Sequence, residues 1–336
     1  VRHEAERTAS LSFCVEMDGA LVAVCPLYRS RRRYAGVLPI SVLHTGIGRA
    51  GPAIAAGIDE PRRTEILAAT FAYIDGLAAQ QGAARLEIRL PTLARNALPP
   101  RRTAINPLVG HGFSAGVKYG RALHQAAPVD KIVRLDKPIE TLFAAMDSDC
   151  RKAVRKAKKN GALAVESTAR EDLRDYHRFH LETYRRSGAA VLPLAQFERL
   201  WDAFYDRGFF RLFFAEHEGR RIAGLIMLSF GVGATYWAGS SEAAFQHLRP
   251  NNLLMFHAIS TAKEQGRGWF EVGPTFRSAD PRSKQALIGR FKNQFGGESF
   301  PLIEGAKNYR PLMISMLELL DGFVAGGARL WRSAGA

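Results

Sequence analysis

The 336-residue chain is 47% hydrophobic and 24% charged, enough apolar material for a large core and too much for a disordered chain. Lysine and arginine number 47 against 32 aspartates and glutamates, a formal net charge of +15 that points to an anionic partner: nucleic acid, a phosphorylated small molecule or a membrane surface. Cys14, Cys25 and Cys150 form no CxxC pair and cannot all pair with one another. Neither a disulfide framework nor a cysteine-built zinc site is supported, and a reducing cytoplasm is the expected setting.

Along the chain, residues 16–23 read as strand, acidic-Gly turn, strand, centred on Asp18-Gly19. A basic run, Arg29, Arg31, Arg32 and Arg33, follows it. Leu67, Thr70, Phe71, Ile74, Leu77 and Ala78 recur at helical spacing, the segment closes at Gln81-Gly82, and Arg85-Leu86-Glu87-Ile88 reads as a strand. Residues 95–102, rich in proline and arginine, read as a loop. Four helices are predicted next, as an insert: 138–146, 148–160 closed by Gly161, 171–186, and 194–205 after Pro193. The third carries an apolar stripe of Leu173, Tyr176, His177, Leu181 and Tyr184. His177 and His180 lie three apart, but with no carboxylate at ligand spacing His177 reads as core, and no metal is expected.

The first pattern then recurs. Residues 216–223 repeat the acidic-Gly hairpin at Glu218-Gly219, and a helix around Phe256, Ile259 and Ala262 ends at Gln265-Gly266 before Trp269-Phe270-Glu271-Val272. Residues 222–241 lack charge over a bilayer-length stretch, yet Gly231-Val232-Gly233 splits them into two short β-rich runs, so a hairpin and no transmembrane segment is expected. The same elements in the same order imply a duplicated α+β fold, each copy a mixed sheet flanked by helices, with a seam near residues 128–131. The expected domains are 1–128, 129–310 and a C-terminal helix, within 311–336, packed on the second domain. That last stretch is apolar enough for peripheral membrane contact as well.

From about Val129 to Tyr309 the sequence resembles the Fem-type aminoacyl transferases, tandem GNAT-like (acetyltransferase-like) proteins. The resemblance rests on Asp149-Cys150-Arg151-Lys152-Ala153-Val154-Arg155-Lys156-Ala157 with Gly161, the hairpin from Glu216, Asn251-Asn252-Leu253-Leu254, and Arg290-Phe291-Lys292-Asn293-Gln294-Phe295-Gly296-Gly297. Two departures stand out. The chain opens on Val1 with its first hairpin almost at the terminus, so the first domain is expected to lack leading elements, and the insert is too short for the helical arm some members carry. The resemblance implies acyl transfer to an amine by direct attack, with no permanently bound cofactor and aminoacyl-tRNA or acyl-CoA as donor. It also implies that Phe291 and Lys292 lie at the donor end, Lys292 meeting charge in the transition state.

Transfer to an amine needs proximity and a stabilised oxyanion more than a nucleophile. Where acetyl-CoA enzymes carry a glycine-rich pyrophosphate loop, residues 246–252 contain no glycine. Arg249 with Asn251 or Asn252 could hold one phosphate there, which tilts the expectation from acyl-CoA to tRNA. Arg151, Lys152, Arg155, Lys156, Lys158 and Lys159 crowd one helix whose narrow stripe is Cys150, Ala153, Val154 and Ala157, a candidate phosphate track extended by Arg290. Arg29 and Arg31 are candidates for the phosphates of an anionic or nucleotide-linked acceptor. Two readings compete with the aminoacyltransferase: an acyl-CoA-dependent N-acyltransferase, and a non-catalytic basic module for RNA or glycans.

Overall fold

A computed structural model describes residues 8–34, 38–46, 49–90, 107–115, 129–275 and 282–320. The chain divides into two compact units, residues 1–125 with 302–336, and residues 126–301.

In the first unit β1 (Thr8–Ser10), β2 (Phe13–Met17), β3 (Ala20–Cys25), β4 (Tyr28–Tyr34), β5 (Leu38–His44) and β6 (Ala53–Ile54) precede α1 (Glu60–Gln80), β7 (Arg85–Arg89) and β8 (Ser114–Ala115). The β2–β3 turn sets both Asp18 and Gly19 at positive φ, 52° and 76°, the twist a two-residue hairpin requires. Asp59 caps α1 by accepting from the Arg62 N–H, and Gly82 at φ 58° ends it while the Ala83 N–H reaches back to Ala78. The buried face of α1, with Phe71, Ile74 and Ala78, packs on Leu43, Leu86 and Ile88.

The second unit runs β9 (Val129–Arg134), α2 (Ile139–Ala144), α3 (Ser148–Lys159), β10 (Leu163–Ser167), α4 (Leu173–Arg186), α5 (Leu194–Phe204), β11 (Phe210–His217), β12 (Arg220–Phe230), β13 (Gly233–Ser241), α6 (Pro250–Glu264), β14 (Trp269–Thr275), α7 (Lys284–Asn293) and β15 (Glu298–Pro301). Its sheet is ordered β10-β11-β12-β13-β14-β9-β15. On one face lie Phe213, Leu225, Met227 and Phe270 against α6, and on the other Leu212, Phe214 and Ile226 against Tyr176, Phe179 and Phe197 of α4 and α5. After β15, β16 (Glu304–Asn308) pairs with β7, so the first unit's main sheet is ordered β1-β4-β5-β7-β16-β8 beside a small β2-β3-β6 sheet.

Duplication is visible at the level of hydrogen-bond register. Met17 pairs with Ala20 and Glu16 with Leu21 before a bulge, after which Val15 pairs with Ala23. His217 pairs with Arg220 and Glu216 with Arg221 before a bulge at the same place, after which Ala215 pairs with Ala223. Gln265 and Gly266 (φ 70°) end α6 as Gln81 and Gly82 end α1, with the Arg267 N–H returning to Ala262. The strand after each helix pairs in parallel, β7 with β5 and β14 with β13.

Three expectations are corrected. The helices between the repeats are not an insert: β10 is the edge strand of the second sheet, and α3 packs on α6 through Cys150, Val154 and Ala157. The second unit closes at residue 301 and the C-terminal helix belongs to the first, because β16 carries the chain back into that sheet. Residues 311–320 are helical and bury Ile314 and Leu317 against Ile40, Val42 and Ala84. The buried histidine of α4 is His180; His177 is half-buried, because their ring nitrogens hold the two backbone groups of Leu192, the carbonyl from His177 at 3.1 Å and the N–H from His180 at 2.9 Å. The uncharged 222–241 stretch is the β12–β13 hairpin, and no described helix is long and apolar enough to cross a membrane. The loop expected at 95–102 lies outside the described residues.

Candidate active site

Strands β13 and β14 part company inside the second unit. Their ladder joins Gly233–Thr235 to Trp269–Glu271, while β13 continues to Ser241 and β14 to Thr275. Two bulges drive the parting. Opposite β12, Met227 pairs with Tyr236 and Ile226 with Ala238, leaving Trp237 as the extra residue. Tyr236 therefore stays on the α6 face while Trp237 and Ala238 both pack toward α4 and α5. In β14 a second bulge between Glu271 and Gly273 bends the strand toward β9, with Gly273 at φ 97°, a conformation only glycine takes without strain.

Lys292 sits at this parting. It is 9% exposed, its Nζ lies 5.7 Å from the centre of the Tyr236 ring, and a Cβ added to Gly273 would fall 2.7 Å from that nitrogen. The helical spacing of Phe291 and Phe295 does anchor α7, their rings meeting edge-on at 5.2 Å. Lys292 is more enclosed than that spacing predicts, because α7 packs along the bulged β14. Burial, with the Tyr184 phenol nearby, pushes Tyr236 well above the ordinary phenol range, so it stays a neutral hydroxyl. On the α4 side the hydroxyls of Tyr176 and Ser240 lie enclosed beside one another, and Nδ1 of His180 is enclosed without a hydrogen-bond partner among the described residues. Burial, then the neighbouring His177, lowers His180 to about 4.

The other predicted residues distribute unevenly. Arg290 and Phe291 line a cavity of about 520 Å³ with Asp147, Ser148, Asp149 and Gln294, which joins α7 to the start of α3. Arg151 braces α2, its Nη1 donating to the carbonyls of Ala144, at 2.9 Å, and Met146. Lys152, Arg155, Lys156, Lys158 and Lys159 are exposed as expected, with Arg155 lying 5.3 Å from the Phe143 ring. Asn252 is buried and donates to Cys150 Sγ at 3.6 Å, a tie between α6 and α3 that removes it from the donor set. Asn251 donates to Ser241 Oγ at 3.1 Å, fastening the end of β13 instead of facing a phosphate. Arg249 is exposed in the left-handed conformation (φ 60°) at the start of α6. There Pro250 has no N–H, and the N–H groups of Asn252 and Leu253 both turn to the Arg249 carbonyl.

In the first unit Arg29 donates to Gln81 Oε1 at 2.6 Å and Arg32 to Glu87 at 2.9 Å, so both fasten β4 to its neighbours. Arg29 is half-buried with one guanidinium nitrogen engaged on Gln81, while Arg31 is exposed. Tyr236 and Gly273 escaped the sequence reading. The signal for Gly273 was a glycine inside a strand pattern, which marks a bulge or a close approach; Tyr236 carried none beyond its aromatic neighbour.

Residues 144–293 match the family described as acetyltransferase (GNAT) domain, a stretch that closes one residue after Lys292. Among solved structures, that of FemX aligns over 93% of this chain and 91% of its own at a TM-score of 0.72 and 19% identity. L-PGS from Bacillus licheniformis aligns over 88% and 85% at 0.55 and 13% identity. The C-terminal domain (DUF2156) of a putative lysylphosphatidylglycerol synthetase from Agrobacterium fabrum aligns over 87% and 84% at 0.53 and 11% identity. Identities this low establish fold alone, and at that level the likeness to Fem-type tandem GNAT-like proteins is met. No curated protein matches in sequence.

Proposed function

We propose that the chain is an acyltransferase that moves an aminoacyl group from aminoacyl-tRNA to the amine of a small or cell-wall-type acceptor. The observation that carries the reading is the enclosed Lys292 ammonium at the parting of β13 and β14, beside the neutral Tyr236 hydroxyl. A donor ester carbonyl entering there meets a cation already desolvated and held in place, and such preorganised charge acts most strongly on the oxyanion of a tetrahedral intermediate. The acceptor attacks as the neutral amine, so the new C–N bond forms while the proton it sheds passes to the ribose oxygen as the C–O bond breaks. Lys292 stabilises the negative charge on both oxygens, and no covalent enzyme intermediate is required.

Two features favour tRNA over acyl-CoA as donor. At the start of α6 Pro250 has no N–H and that of Asn252 turns to the Arg249 carbonyl, which leaves fewer backbone donors than the cradle a pyrophosphate needs. The exposed cations of α3 offer a sequence-independent phosphate track. The structural neighbours whose names include FemX and lysylphosphatidylglycerol synthetase agree with the reading. The test is to incubate the protein with charged tRNA pools or acyl-CoAs and candidate amines, following donor consumption. Product formation abolished by ribonuclease supports the proposal; consumption of acyl-CoA alone replaces it with an acyl-CoA N-acyltransferase. RNA binding with neither donor consumed would make the chain a binding module.

A further inference from the structure

The helix of residues 311–320 is apolar around nearly its whole circumference. Met313, Ile314 and Leu317 pack onto Ile40, Val42 and Ala84 of the first unit. Leu312, Met316, Leu319 and Leu320 face away, 84%, 64%, 64% and 43% exposed. Their spacing, i, i+4, i+7 and i+8, puts them in one stripe along the helix. Glu318 is its one charged residue, and that carboxylate is turned onto Arg85, Oε1 3.1 Å from Nη1. A helix face made for water carries charge; this one presents four large apolar side chains and none.

We propose that this stripe seats the protein on an anionic lipid surface. Arg310 is exposed where the helix begins, and the sequence that follows residue 320 carries Arg329, Trp331 and Arg332 with Phe323, Val324 and Leu330. Apolar side chains, a tryptophan and arginines in one short stretch are the residue types that settle at a water–lipid boundary, the arginines meeting headgroup phosphates. Charge selects between occupants. A second copy would oppose Arg310 and a net charge of +15 with their equals, whereas an anionic leaflet complements both. The proposal does not depend on which donor the active site takes.

The test is co-sedimentation of the full chain with phosphatidylcholine vesicles, alone or containing roughly one-third phosphatidylglycerol, at low and high salt. The expected result is preferential binding to the anionic vesicles by roughly tenfold, weakened by salt, since each cation near such a surface contributes a several-fold gain. Met316→Glu with Leu319→Glu, and separately Leu312→Glu, alter only exposed positions; each should cut that binding by roughly tenfold or more while the circular dichroism melt stays put. Three results would overturn the proposal: no binding to either vesicle, equal binding to both, or variants that bind like the wild type. A dimer in sedimentation equilibrium that these variants dissociate, without vesicle binding, would instead assign the stripe to a second copy.

Discussion

Replacing Lys292 with methionine separates a catalytic ammonium from a packing residue. Lys292→Ala is the blunter change, because the side chain is 9% exposed and truncation deletes three buried methylenes, about 2.4 kcal/mol at about 0.8 each. Methionine keeps most of that stem against Tyr236 and removes the charge alone. If the ammonium meets the oxyanion only in the transition state, its loss costs about 3 kcal/mol, on the order of a hundredfold or more in turnover, with little change in KM. Lys292→Arg should recover little, since a Cβ built on Gly273 already lies 2.7 Å from Nζ and a guanidinium is bulkier than an ammonium. The assay is single-turnover release of a labelled aminoacyl group from charged tRNA at saturating amine, with a thermal melt of each protein. Turnover of the methionine variant within tenfold of wild type, or a loss that merely tracks a lowered Tm, would refute the reasoning.

Reversing Lys152 and Lys156 to glutamate on the exposed face of α3 should weaken RNA binding and lower its salt slope by about two, and an unchanged slope would show a merely solvated face. Gly273→Ala should lower Tm and turnover together, at a cost of about 1–2 kcal/mol for its positive φ, whereas Gly268→Ala, whose nearest neighbour would be 3.7 Å away, should cost less than half of that. Gly297→Ala should be worse than either, because the new methyl would meet the Ile132 backbone carbonyl, and recovery of soluble protein reads this directly. His180 titrates near 4 when folded against about 6.5 when unfolded, so the unfolded chain takes up the proton first. Its stabilisation is complete above about pH 6.5 and is lost as pH falls toward 4. Tm measured across that window should fall more steeply for wild type than for His180→Gln, and identical slopes would count against the assignment.

Much of the fold was legible in the sequence wherever a neighbourhood of ten or so residues decides the outcome. Asp18-Gly19 and Glu218-Gly219 fold as hairpin turns because the turn itself demands positive φ. The stripe Cys150, Val154, Ala157 is buried because its spacing leaves α3 one small apolar face. Such features belong to the chain's local stereochemistry, and the duplication could be read from their order. What no local pattern encodes is which distant strand completes a ladder. β9 closes on β14 and β16 on β7, and the second of those pairings carries the C-terminal helix back to the first unit. The same holds at the site, where Arg29, Arg151 and Asn252 have the right chemistry for a phosphate but are drawn onto Gln81, the end of α2 and Cys150. Lys292 was readable as a residue, but its burial over Tyr236 follows from two bulges that turn β13 and β14 apart. A side chain's partners are set by packing between segments far apart in sequence, where buried polar groups must be matched, and only the folded chain brings those partners together.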